Sequence, residues 1–194
     1  AERIYLNLLK KDKNNPGILQ LIGTLNFQIK KYKIAEEYLL KSLNEDSFNQ
    51  VTLNNLGLLN KELDNIEESI KYFDKNIEKN NFLSSWFNKS NILLEQKKFD
   101  EGLKFTKEAL GKFPKDKRLK NNLAIFYFEC GHQNESLNIY KEFNEEKLHY
   151  VDSYFNYSTI LIKINKLSEA LKVLNNLLFI DPKNQNALRE RAYI

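Results

Sequence analysis

Asn55, Asn88, Asn122 and Asn156 stand 33, 34 and 34 residues apart. A side-chain amide does no acid–base or nucleophilic work near neutral pH; it carries hydrogen-bond donors and an acceptor on one small, uncharged group. A column of such groups can bond the N–H and C=O of an extended peptide without reading its side chains. Each bond is worth about 0.5–1.5 kcal/mol net, so four in register would give useful, sequence-tolerant affinity.

The groups that could do covalent chemistry are few. The histidines are His132 and His149, and the one cysteine is Cys130, in the run Cys130-Gly131-His132. A thiol beside an imidazole can form a nucleophile pair, but a lone thiol at the end of a packing helix reads as buried filler. The sequence contains no CxxC, HExxH, GxGxxG or GxxxxGK[ST], so no metal, phosphate loop or other cofactor is expected. The Glu pairs at 36–37, 67–68 and 145–146 fall on amphipathic segments where carboxylates face water. No enzyme is expected within these residues.

Composition narrows the rest. Only 6 Gly and 3 Pro in 194 residues leave too few turn formers for an all-β fold, which favours helices. The net charge, 30 basic minus 26 acidic or +4, is spread evenly, with short clusters at Lys10-Lys11, Lys30-Lys31 and Lys115 to Lys120. That distribution reads as a solvated surface and not as a nucleic-acid footprint. No apolar run approaches the roughly 18–20 residues of a membrane span, and no signal peptide is visible. A single cysteine excludes an internal disulfide. A cytoplasmic location is therefore expected. The sequence has no Met, so Ala1 is not expected to be where the gene begins.

The asparagine column belongs to a wider period. Small residues recur at Gly23, Gly57, Ser90, Ala124 and Ser158, in steps of 34, 33, 34 and 34. Twelve residues after each comes a second small residue: Ala35, Ser69, Gly102, Ser136 and Ala170. Four further on stand Leu39, Phe73, Tyr140 and Leu174, with Thr106 as the exception. Within each period the apolar spacing predicts two helices. In the third, WFNKSNILLEQ (86–96) carries Trp86, Ile92 and Leu93 on one face, and FDEGLKFTKEALGKFP (99–114) carries Phe99, Leu103, Leu110 and Phe113. Pro114 and Pro182 end the second helices of their periods, because proline lacks the donor a helix interior requires. The small residues mark places where two helices must approach closely.

These residues resemble the tetratricopeptide repeat, W-x-x-L-G-x-x-Y, then A-x-x-x-F, then P, over 34 positions. First halves match through Leu19-Ile22-Gly23, Leu53-Leu56-Gly57, Trp86-Ser90-Leu93, Leu123-Ala124-Tyr127 and Tyr154-Tyr157-Ser158-Leu161. Second halves match through Ala35, Ser42, Phe73, Ala109, Pro114, Tyr140, Ala170 and Pro182. The resemblance implies an all-α, right-handed α-α superhelix of antiparallel helix pairs, one array over 1–194. Full repeats are expected at 16–49, 50–82, 83–116, 117–150 and 151–184, with 1–15 the second helix of a partial repeat and 185–194 the start of a sixth. Lys89 and Lys120 depart from the pattern at apolar positions, Phe143 at a small one, and Leu148 at the terminal proline. Repeat four is therefore expected to close differently over NEEKLHY (144–150). Neither end looks like a polar capping helix. The chain is expected to be a piece of a longer polypeptide, the alternative being that these half-repeats are its natural caps; pairing with another copy through an uncapped end is a separate expectation.

In this family the first helices line a concave groove, which implies a binding site on the asparagine column. The spacing is similar to the amide ladders in the repeats of O-GlcNAc transferases. Phe87 and Phe155, one residue before two of the asparagines, are expected to share the face, as are Leu58 and Ile125, with Arg118 and Asp152 at its edge. The family's clamp for a terminal carboxylate needs Lys, Asn, Asn, Lys and Arg on three consecutive first helices. Asn91, Asn122 and Asn156 supply amides, with the carboxylate of Asp152 among them, but no cations. The resemblance thus implies a scaffold that takes a peptide segment with apolar side chains from a partner protein. A second implication comes from residues 1–25, which resemble the opening repeats of bacterial proteins that join such arrays to a sulfotransferase or glycosyltransferase; the chain would then be a substrate-docking or regulatory arm.

Overall fold

The computed structural model of the chain describes residues 2–145 and 150–194. Among these the fold is all-α, as expected, with twelve helices and no strand. They are α1 (Glu2–Lys11), α2 (Pro16–Gln28), α3 (Tyr32–Glu45), α4 (Gln50–Glu62), α5 (Ile66–Asn80), α6 (Leu83–Glu95), α7 (Phe99–Lys112), α8 (Lys117–Glu129), α9 (Gln133–Glu145), α10 (Val151–Lys163), α11 (Leu167–Ile180) and α12 (Gln185–Tyr193). They form two compact units, 1–92 and 93–194. The end of the fourth expected repeat, with Leu148 and His149, falls at 146–149, outside the described residues, as does Ala1.

Local chemistry sets several of the helix ends. The starts of α2, α4, α8 and α12 are capped by Asn15, Asn49, Asp116 and Asn184, whose side-chain oxygens accept the N–H of the residue three further on at 2.9–3.1 Å. Such caps satisfy donors the helix cannot, at about 0.5–2 kcal/mol each. Three of the caps are themselves held by an aspartate three residues earlier: Asp12, Asp46 and Asp181 accept from the cap amide. Much of the chain's asparagine is therefore architectural. Pro114 and Pro182 each stand two residues beyond the last residue of α7 and α11.

Inside each repeat the two helices are joined by a turn of three residues. The middle residue is left-handed every time: Lys30, Asp64, Lys97, Gly131 and Asn165, with φ between 56° and 83°. The next residue returns its N–H to the carbonyl five positions back at 2.8–2.9 Å, as in Lys31 to Asn26 and Lys166 to Leu161. This is the Schellman closure. Its steps of 34, 33, 34 and 34 match those of the small residues.

In the unit of residues 1–92, α1–α2, α2–α3, α3–α4 and α4–α5 pack in sequence. The small residues admit side chains from the facing helix. A Cβ on Gly23 would lie 2.7 Å from Leu39 Cγ, and one on Gly57 would lie 2.5 Å from Phe73 Cε1, both far inside contact distance. Ser69 donates to the Gly57 carbonyl at 2.7 Å. Neighbouring pairs are keyed by buried polar groups. The Ser42 hydroxyl donates to the Pro16 carbonyl at 2.8 Å and meets the Thr52 hydroxyl at 3.0 Å. Thirty-four residues later, Asn76 donates to the Gln50 carbonyl and to Ser85 Oγ, both at 2.8 Å. Lys89, at an apolar position, reaches Asp74 at 2.6 Å instead.

In the unit of residues 93–194 the position equivalent to Ser42 and Asn76 is Ala109 on α7 and Phe143 on α9. The unit closes through aromatic packing instead of a polar key. Tyr140 and Tyr157 stack with centroids 5.1 Å apart and planes 11° from parallel. Phe143 is buried between Tyr140 at 6.3 Å and Tyr150 at 6.5 Å. Phe143 at a usually small position thus fills the same cluster as Leu174, Leu177 and Ala187. Lys120 extends toward Glu142, 3.9 Å away.

Candidate functional site

The expected site residues lie on α4, α6, α8 and α10, the first helices of repeats two to five. In the first unit Asn55 is buried, 8% exposed, and its Nδ2 donates to Thr24 Oγ1 at 2.7 Å. Asn88 is half-buried, and its Nδ2 donates to Asn54 Oδ1 at 3.0 Å; that oxygen also accepts from the Ser85 hydroxyl at 3.4 Å. In the second unit the half-buried Asn156 donates from Nδ2 to Asn121 Oδ1 at 3.2 Å, and Tyr140 Oη approaches the same oxygen at 3.4 Å. Asn122 is 4% exposed and engaged with its surroundings. Asn91 is half-buried and also engaged.

The same bond thus occurs twice. Asn88 reaches back 34 residues to Asn54, and Asn156 reaches back 35 to Asn121. The repeated asparagine pairs Asn54-Asn55 and Asn121-Asn122 supply the acceptor as their first member. Sequence reading singled out the second member of each pair and did not assign Asn54 or Asn121. The signal that could have found them is the pairing itself, since an acceptor one repeat earlier is needed wherever a first helix carries a half-buried amide.

With Nδ2 anchored, the other end of each amide is set in direction. The Oδ1 atoms of Asn55, Asn88 and Asn156 accept no hydrogen bond among the described residues, and each reaches solvent. These amides can therefore offer an acceptor from a fixed geometry, with little side-chain entropy left to lose on binding.

The flanking residues are arranged less uniformly. Phe87 is half-buried and in contact with its surroundings. Phe155 is half-buried and packs on the aromatic cluster of the second unit. Arg118 turns back onto the cap of its own helix, with its Nη2 and Nε donating to Asp116 Oδ2 at 2.9 and 3.3 Å. Leu58 and Ile125 are half-buried, and Asp152 is exposed.

Cys130 and His132 lie in the turn between α8 and α9. The Cys130 thiol lies 3.7 Å from Asp100 Oδ1; burial and then the Asp100 charge push it above the ordinary thiol range, away from a reactive thiolate. His132 turns to Glu135 at 3.6 Å and edge-on to the Tyr127 ring. Burial likewise holds the Tyr140 phenol well above its usual range, so it stays protonated and can donate to Asn121. Among the described residues no group of three or more His, Cys, Asp or Glu is placed to hold a metal ion. No helix among them is long and apolar enough to cross a membrane.

A family model described as tetratricopeptide repeat matches residues 52–78, which span most of α4 and α5. No curated protein sequence matches the chain. Solved structures do. The fold is similar to that of YrrB, a TPR protein with an unusual peptide-binding site (TM-score 0.70, 15% identity, 99% of this chain on 100% of that one). It is also similar to pilF of Pseudomonas aeruginosa (TM-score 0.78, 16% identity, 98% on 87%). A chain of the APC/C hetero-tetramer Cut9–Hcn1 matches at a TM-score of 0.81 and 13% identity, with 98% of this chain on 38% of that one. At such identities the likeness is one of fold. One tetratricopeptide repeat is thus identified at residues 52–78, and the fold is similar to that of these solved proteins over nearly the whole chain.

Proposed function

We propose that the chain is a protein-interaction scaffold that binds extended peptide segments of a partner on the faces of its first helices. The observation that carries this reading is the set of anchored amides: Asn55, Asn88 and Asn156 keep Nδ2 on the preceding repeat and leave Oδ1 open. Each oxygen accepts a peptide N–H; the half-buried Phe87 and Phe155 beside them supply apolar contact. The peptide-binding site of YrrB, a chain of the same fold, is consistent with this use.

The test is a peptide selected from a random library on the intact chain, followed by Asn88→Ala and Asn156→Ala. The acceptors these changes abandon are not orphaned, because Asn54 still faces the Ser85 hydroxyl and Asn121 still faces Tyr140. Stability should therefore fall by no more than about 1 kcal/mol per change, while affinity falls several-fold. Unchanged affinity in both variants would refute the reading.

A lesser proposal concerns α1. Ile4, Leu6 and Leu8 are exposed on it, Ile4 at 63%, beside a cavity of about 590 Å³ lined by Arg3, Leu6, Asn7, Leu9, Lys10 and Lys13. This apolar end is the surface through which a second copy would associate, and sedimentation across a concentration series tests it.

A further inference from the structure

A second cavity, of about 490 Å³, opens in the unit of residues 93–194. Its apolar wall is Leu94, Phe99 and Ile125; Glu95, Lys97, Glu129 and Lys163 form its rim. The size falls within the range of about 300–1,000 Å³ that suits small ligands and side-chain anchors. Its position relates it to the asparagines. Ile125 and Glu129 follow Asn122 by three and seven residues on α8, and Lys163 follows Asn156 by seven on α10, so helical geometry puts them on the same stripes. A segment lying along the amides in this unit would bring its next side chains over the cavity.

The rim charges are not equivalent. Lys163 is committed to Glu129 at 3.0 Å and lies over the Phe128 ring at 5.3 Å. Glu95 is engaged as well. Lys97 has no ion-pair partner among the described residues. Its backbone is held left-handed at φ 56° by bonds from its own N–H to Leu94 and from Lys98 N–H to Leu93. Its stem therefore starts from a fixed point at the mouth of the cavity. The uncommitted charge beside this apolar wall is positive.

We propose that this cavity is a specificity pocket for a partner segment in which a large apolar side chain is followed directly by a carboxylate. The apolar group fills the space against Leu94, Phe99 and Ile125, and the carboxylate pairs with Lys97. The inference rests on the peptide-binding reading above and adds to it the class of segment taken by this unit.

The test uses the intact chain, labelled with ¹⁵N, titrated with acetyl-Gly-Ser-Leu-Phe-Glu-Ser-Gly-amide. Two sibling peptides carry Gln for Glu and Ala for Phe, and a fourth ends at a free carboxylate directly after Phe. Amide signals of Leu94, Lys97, Ile125 and Glu129 should shift with the Phe-Glu peptide. The Gln sibling should bind about two- to fivefold more weakly, the range of one exposed ion pair, and the Ala sibling more weakly still. The fourth peptide separates a side-chain carboxylate from a chain terminus as the preferred source. Lys97→Asn, which keeps a residue tolerant of the left-handed region, should erase the difference between the Glu and Gln peptides. Binding of the Glu and Gln peptides with equal affinity would overturn the pocket inference, as would shifts at the asparagines with none at Leu94 and Lys97; both would leave the amide reading standing. No binding by any of the four would also overturn it, and the library selection would then judge the broader reading alone.

Discussion

Among the glycines the tightest steric demand is at Gly102, and it gives a sharp test of how the repeats are keyed. Of the five second small residues, 102 alone is glycine. Its neighbour across the helix pair, Phe126, is the only aromatic residue in a series that otherwise runs Leu25, Leu59, Ile92 and Ile160. A Cβ at 102 would sit 2.0 Å from Phe126 Cε1 and 2.2 Å from Cζ. Carbon atoms pack at about 3.5–4.0 Å, so the ring would have to retreat by about 1.5 Å, yet Phe126 is fully buried. Such overpacking costs about 1–3 kcal/mol. Replacing glycine by alanine inside a helix offsets about 0.5–1 kcal/mol of that. Gly102→Ala should therefore lose up to about 2.5 kcal/mol, and Phe126→Leu alone should lose about 1 kcal/mol through the space it leaves. The double variant restores the pairing of an alanine with an aliphatic residue, as at Ala35 and Leu59, which share one cluster. It should be more stable than either single variant, with a coupling of about 1–2 kcal/mol. Urea titration of the four proteins, followed by far-UV circular dichroism, measures the cycle. Additivity within about 0.5 kcal/mol would refute the reasoning.

Three further outcomes follow from the same structure. Asp64→Gly and Lys97→Gly should each raise stability by about 0.5 kcal/mol, and Gly131→Ala should lower it by about 1 kcal/mol, because only glycine enters the left-handed region freely; melting temperatures decide the signs. Asn76→Ala should lose about 1–3 kcal/mol, since it strips the Gln50 carbonyl and Ser85 of a buried partner, and hydrogen exchange should locate the loss at the start of α4. Ile4→Glu should leave the melting temperature unchanged and abolish any concentration-dependent mass in sedimentation, as expected for an exposed residue that serves only association.

The fold was legible in the sequence because its constraint is steric and periodic. Gly23 and Gly57 are small since Leu39 and Phe73 press against them, and nothing about that contact depends on a distant choice of rotamer. The turns were less legible. Lys30, Asp64 and Lys97 look like ordinary surface residues, and their left-handed backbone is imposed by the Schellman closure and not by their own preference; the equivalent Gly131 and Asn165 were the available signal. Phe143 read as a departure because its accommodation depends on Tyr140, Tyr150 and Tyr157 together, a three-dimensional arrangement that no single spacing encodes. The recurrence of an amide at one position of successive first helices was legible as a spacing. That Asn88 and Asn156 anchor on Asn54 and Asn121 required knowing which of two adjacent amides each one meets, and a helix turns adjacent residues by about 100°. Arg118 pairs with the cap Asp116 two residues away, a local contact that residue type alone does not decide.

The most direct measurement is a ¹H–¹⁵N titration that follows the side-chain amides of Asn55, Asn88 and Asn156 as a library-selected peptide is added. Shifts of these resonances, each saturating with backbone amides of the first helix that carries it, are the expected result. Saturable binding that leaves those side chains unmoved and perturbs the second helices α5, α9 and α11 instead would contradict the account.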